Sequence, residues 1–158
     1  MAVELDELDL RILGLLSRDG RAPASQIADQ VGLSRPAVAD RIEKLERQGV
    51  IRGTTVVVDP SSVGRAVTAF VAARGSNLGT KGWKVFQELM HDEEVLEVHT
   101  VAGDDCFLLK VRTDSITSLN ILVNKLTVPP LSLSTRTTIV MKTHWEKVGG
   151  ITLGEEAS

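Results

Sequence analysis

The hydrophobic period of this chain changes near residue 55. Before that point apolar residues recur at the 3–4 spacing of helices. After it, strand-like alternation and helical stripes take turns. One uniform architecture cannot satisfy both patterns, so the 158 residues divide into a helical part and a mixed part. The expected boundaries are 1–54 for the helical domain, 55–65 for a hinge strand and linker, and 66–145 for the mixed domain. Residues 146–158, with Gly149-Gly150 and Glu155-Glu156, read as a flexible tail.

In the helical part, Asp6 can cap a helix running to Arg18, with Leu5 packing on Leu10 as a hydrophobic staple. Leu8, Ile12, Leu15 and Leu16 form its apolar stripe. A short helix begins near Pro23 and carries Ile27, Ala28 and Val31 on one face before Gly32 breaks it. Ser34 caps a third helix that ends at Gly49, with Val38, Ile42 and Leu45 as its buried stripe. Val50 and Ile51 lead into Thr54–Val58, which reads as a β-wing and connecting strand.

The mixed part reads β-α-β-β-α-β. Strands are expected at 66–73, 95–101, 107–112 and 133–142, with helices at 81–90 and from Ser115 to Leu126. Phe86, Leu89, Met90, Leu119, Leu122 and Leu126 should face the sheet, and a tight Gly103-Asp104-Asp105 turn joins strands two and three. This order is that of the split βαβ, ferredoxin-like fold. The fold class is therefore α+β, a winged helix-turn-helix joined to a ferredoxin-like βαββαβ domain.

Function is carried most strongly by Ala24–Glu43. Ala28 is small where two helices must cross closely, and Gly32 sits where the turn requires a positive φ. Such a pair can present its second helix to a DNA major groove. Candidate duplex contacts are Ser34, Arg35, Pro36, Ala37, Asp40, Arg41, Lys44 and Arg52, with Arg47 as a further cation. Ser34 and the helix N-terminus can donate to phosphate oxygens. Ala37 and Ala39 let the backbone approach base edges, and Asp40 can accept from cytosine N4 or pair with Lys44. The first 69 residues contain no aromatic side chain, which disfavours a single-strand site built on base stacking. A plain helical bundle with a solvated charged face is the bland alternative.

Other chemistry is poorly represented. The local charge around Cys106 is acidic, which does not favour a thiolate. His91, His99 and His144 lack metal-ligand spacing with it. No phosphate-cradling glycine loop or serine elbow occurs. The chain is expected not to be an enzyme and to need no metal or cofactor. No apolar run reaches the ~20 residues of a membrane span. A single cysteine and an acidic start fit a cytoplasmic location.

The phrases LDELDLRILGLLSRDGR, QIADQVGLS, RIEKLERQGVIRG, DPSSVG, VLEVHTVAGDDCFLLKV and STRTTIVM, in this order, resemble the Lrp/AsnC (leucine-responsive, feast/famine) regulators over nearly all of the chain up to Trp145. The resemblance implies a sequence-specific regulator of transcription that binds double-stranded DNA. It implies a homodimer that assembles further to a tetramer or octamer, and a small effector, commonly an amino acid, held between dimers. The effector loop carries over to Gly103, Asp104 and Asp105, with Thr135 and Thr137, and also Thr138, nearby on strand four. The chain departs from the family pattern at Cys106, where many relatives have an aspartate.

Physically, Gly103 allows close backbone approach, and Asp104 and Asp105 can pair with an α-ammonium group. An ordinary Gly-Asp hairpin turn would need no ligand. Two other functional classes stay open on the residues alone. One is a metabolite-binding or enzymatic ferredoxin-like protein, and the other is an architectural DNA-wrapping protein with little sequence preference.

Overall fold

The computed structural model describes residues 3–75 and 78–146. The chain forms two compact units, one comprising residues through Val57 and the other Val58–Trp145. The expected tail falls almost wholly outside the described residues.

The first unit holds α1 (Glu7–Arg18), α2 (Ala24–Val31) and α3 (Arg35–Arg47). Each apolar stripe read from the sequence is turned inward. Ile12, Ile27, Ala28, Val31 and Val38 form the core, with Leu8, Leu15, Leu16, Leu33 and Ile42 packed around it. Gly32 ends α2 with φ +72°, a left-handed conformation in which a Cβ would be strained. Ser34 caps α3, its Oγ accepting from the N–H of Ala37 at 3.3 Å. Asp6 caps α1 in a reciprocal box with Asp9. The Leu5–Leu10 staple does not define this end, because Leu10 stays 42% exposed.

Residues 54–58, expected to form a wing and connecting strand, adopt no strand in the single chain. Strand propensity alone does not make a strand; a ladder partner must supply its hydrogen bonds.

The second unit contains β1 (Val67–Arg74), α4 (Gly79–Met90), β2 (Val95–Thr100), β3 (Phe107–Thr113), α5 (Ile116–Thr127) and β4 (Ser134–Ile139). The sheet order is β2-β3-β1-β4, and every pairing is antiparallel. This is the ferredoxin-like arrangement anticipated from the element order. Alternation along β1 sends Ala69, Val71 and Ala73 into a core with Phe86 and Leu89 of α4 and Leu119, Leu122 and Leu126 of α5. The β4 strand is shorter than the 133–142 expected, and Met141 beyond its end is 94% exposed.

Within this unit, α4 and α5 both pack on that one face and leave the opposite sheet face to itself. Phe70 lies there, 38% exposed, paired with Lys110 on one side and Thr138 on the other. Ala72 pairs with Leu108 in the next row. Polar links surround this apolar centre. Lys110 donates to Glu97 at 3.3 Å, and Arg112 Nε donates to Thr68 Oγ1 at 3.2 Å. Glu97 also lies 3.2 Å from His99. That contact and then Lys110 hold its carboxyl below the ordinary value.

Candidate functional site

The α3 helix has two chemically different sides. Val38 and Leu45 are fully buried, while Arg35, Pro36, Ala39, Asp40, Glu43, Lys44 and Arg47 are exposed. Among the described residues, Arg35, Lys44 and Arg52 form no ion pair, so three of the expected cations are available to an anionic partner. Arg47 is paired with Glu43 one turn earlier. Asp40 forms no ion pair with Lys44 among the described residues. Ser34 is exposed at the helix entry, and its hydroxyl proton is free to donate because the Oγ serves only as an acceptor to Ala37. Ala37 is half-buried, so its methyl group offers less to a groove than its neighbours do.

Arg41 is positioned differently from the other expected contacts. Its Nη1 lies 2.7 Å from Asp6 Oδ2 and 2.7 Å from Asp9 Oδ1. The guanidinium is drawn toward the start of α1 and its side chain is only 26% exposed. Of the cations expected to contact the duplex, Arg41 is thus the half-buried one, ion-paired within its own unit. Arg41 is three residues after Val38 and four before Leu45, which puts it on the inward side. That spacing is the sequence signal for its partly inward placement. The Asp9 N–H and then the Arg41 guanidinium hold the Asp6 carboxyl below its ordinary value. The same carboxylates, Asp6 first, hold the Arg41 guanidinium above its own.

In the second unit the turn between β2 and β3 is closed by the Val101 N–H donating to the Cys106 carbonyl at 3.0 Å. Gly103 has φ +139°. Gly103 and Asp104 are exposed, whereas Asp105 accepts from Arg136 at 2.8 Å. Cys106 is held by its backbone N–H to Ala73 O and by its Sγ to Gly75 O at 3.2 Å. The strand register separates the remaining candidates. Thr135 pairs with Ala73 and Thr137 with Val71, whereas Arg136 pairs with Ala72 and Thr138 with Phe70. Thr135 and Thr137 therefore share the helix-covered side of the sheet, and Arg136 and Thr138 the open side. Of β4, it is Arg136 that engages the turn, a residue the sequence reading passed over.

A groove of about 260 Å³ lies on the helical side, lined by Val85, Glu88, Leu89, Asp92, Lys125 and Leu131. Lys125 bridges it to Asp92 at 2.7 Å. No group of three or more potential metal ligands occurs among the described residues.

Comparison with known proteins bears on both units. The AsnC-type helix-turn-helix domain profile matches residues 5–46, and the Lrp/AsnC ligand binding domain profile matches residues 68–149. The chain belongs to the Lrp/AsnC family. Among its curated relatives, the Lrp/AsnC chain is 36% identical over 146 residues to the HTH-type transcriptional regulator FL11 of Pyrococcus abyssi, covering 92% of this chain and 95% of that one. The crystal structure of the leucine response regulatory protein LrpA of Mycobacterium tuberculosis aligns with a TM-score of 0.79 at 31% identity, over 90% of this chain and 97% of that one. A Neisseria meningitidis regulator, crystallised as a complex with L-methionine, shares the fold with a TM-score of 0.82 at 21% identity, over 92% and 95% of the two chains. Proteins of this family regulate transcription through a DNA-binding helix-turn-helix and carry a ligand-binding domain. No described helix is long and apolar enough to cross a membrane.

Proposed function

We propose that this chain regulates transcription by placing α3 in the major groove of double-stranded DNA, under the control of an amino acid bound at the β2–β3 turn. The observation that carries the reading is the division of α3. Its aliphatic side is anchored by Val38 and Leu45, while Ser34, Arg35, Lys44 and Arg52 present donors and unpaired cations outward. Phosphate contacts of this kind position a helix, and the small Ala39 leaves room for base edges. Asp40 faces the same way and offers an acceptor to cytosine.

The effector reading rests on Gly103, Asp104 and Asp105. Asp104 is exposed and forms no ion pair among the described residues, so it suits an α-ammonium group. Asp105 and Arg136 together offer one group of each sign beside it, which matches the zwitterionic head of an amino acid. Thr135 and Thr137 lie across the sheet from this pair and would meet a ligand only through the edge of β4. The methionine complex of the Neisseria relative supports an amino acid as the ligand class.

Assembly follows from the uncovered sheet face. An apolar centre of Phe70, Ala72 and Leu108 with a charged rim has the anatomy of a self-complementary interface. A homodimer formed there would carry two α3 helices to successive grooves roughly 34 Å apart, and tetramers or octamers would be built from such dimers. Work on the cytoplasmic chromosome follows from this role.

The decisive experiment is titration of duplex DNA at several salt concentrations. Binding should fall steeply as salt rises, in proportion to the phosphates neutralised. A chain that shows no salt-dependent duplex binding would refute the reading. Sedimentation of Phe70→Glu, expected to yield monomers, tests the assembly separately.

A further inference from the structure

Asp9 is the only charged residue that is fully buried among the described residues. A carboxylate removed from water is costly unless its oxygens are satisfied. Here both are. Oδ2 accepts from the Asp6 N–H at 3.3 Å and Oδ1 from Arg41 Nη1 at 2.7 Å. Asp6 is used as fully, with Oδ1 accepting from the Asp9 N–H at 2.7 Å and Oδ2 from Arg41 Nη1 at 2.7 Å. One guanidinium nitrogen, with its two N–H groups, thus serves both carboxylates of the capping box. A capping box ordinarily closes on its own helix. This one also grips a helix 32 residues later in the chain. The positive end of the α1 macrodipole helps to hold the second negative charge.

We infer that Arg41 is a positioning residue, which sets the orientation of α3 by tying it to the capped start of α1 and does not itself touch the duplex. The inference rests on the DNA-binding reading above. Its consequences differ from those of a phosphate contact. A helix whose tilt or roll is released loses its register with base edges but keeps its diffuse attraction to the backbone. Discrimination between sequences should therefore suffer more than non-specific binding. The sign of the Asp9 effect is also diagnostic. Removing a negative charge near a polyanion would strengthen binding on electrostatics alone, whereas loss of the link should weaken specific binding.

The test uses the full-length wild type with Arg41→Ala, Arg41→Lys, Asp9→Asn and the Asp9→Asn/Arg41→Ala double variant. Each is titrated with a duplex enriched from a random pool by the wild type, and with a random-sequence duplex of equal length. Several salt concentrations are used, at a temperature where circular dichroism shows each variant folded. Arg41→Ala and Asp9→Asn should each reduce the ratio of specific to random affinity about tenfold, the scale of one lost base contact. The double variant should fall no further than the worse single one. Arg41→Lys should recover most of the loss, and the salt slope should stay at the wild-type value.

A slope shallower by about one in Arg41→Ala, with Asp9→Asn unchanged or tighter, would make Arg41 a phosphate contact and overturn the inference. Equal losses on both duplexes would reduce the link to general stability and overturn it as well. So would wild-type discrimination in the folded variants. A wild type without salt-dependent duplex binding would instead remove the DNA-binding reading itself, a result visible before any variant is compared.

Discussion

Arg136 Nη2 and Asp105 Oδ2 lie 2.8 Å apart, joining the exposed edge strand to the turn between β2 and β3. The pair leaves Asp104 as the carboxylate of that turn with no ion pair among the described residues, and makes Asp105 available only in competition with Arg136. An incoming ammonium group meets these two acids on unequal terms.

Amino-acid binding, followed by thermal shift across all the standard amino acids, should register that inequality. Asp104→Ala is expected to weaken a hit about tenfold, or roughly 1.4 kcal/mol. Asp105→Ala should cost less, because an exposed ion pair already offsets its charge at about 0.2–1 kcal/mol. An undisturbed hit in Asp104→Ala would place the ligand elsewhere.

Duplex binding should depend on individual cations in a countable way. Replacing Arg35 or Lys44 with Ala should reduce the slope of log affinity against log salt by about 0.9 each. The losses should be similar on all sequences, since phosphate contacts carry no sequence information. Arg47→Ala should do less, because Glu43 already holds that guanidinium.

Gly32 offers a test of backbone cost alone. A Cβ built there meets nothing within 4 Å, yet φ is +72°. Gly32→Ala should destabilise the first unit by about 1–2 kcal/mol through the left-handed conformation and not through a clash. Gly32→Asn should cost less. Urea midpoints of the three proteins measure this directly.

The start of α1 should respond to acid. Asp6 titrates below its ordinary 3.8, chiefly because the Asp9 N–H and then Arg41 favour its charged form. With the folded value below the unfolded one, this stabilisation is complete above about 3.8 and is lost as pH falls through the lower folded value. Asp6→Asn, which can still cap α1, should flatten the stability profile in that window. A profile as steep as that of the wild type would mean that other carboxylates govern it.

Much of the architecture was legible because local rules and burial agreed. Ser34 and Gly32 announced the helix-turn-helix through capping and positive φ, and Leu119, Leu122 and Leu126 announced the buried side of α5 through their spacing. What escaped the sequence were relationships decided by long-range partners. Nothing local says that Arg41 will find Asp6 and Asp9, or that Arg136, set among threonines, will engage Asp105. The strand expected at 54–58 is absent for a related reason, since its residues have the propensity but the described residues provide no ladder.

That stretch has a consequence for how the protein can live in a cell. Val56, Val57 and Val58 stand 59%, 76% and 52% exposed, in sequence and without a charge between them. An aliphatic ribbon whose amides find no partner among the described residues is a template for promiscuous stacking. If the homodimer proposed above covers this ribbon, the survival of newly made chains should depend on how fast they meet one another and hence on how abundantly they are made.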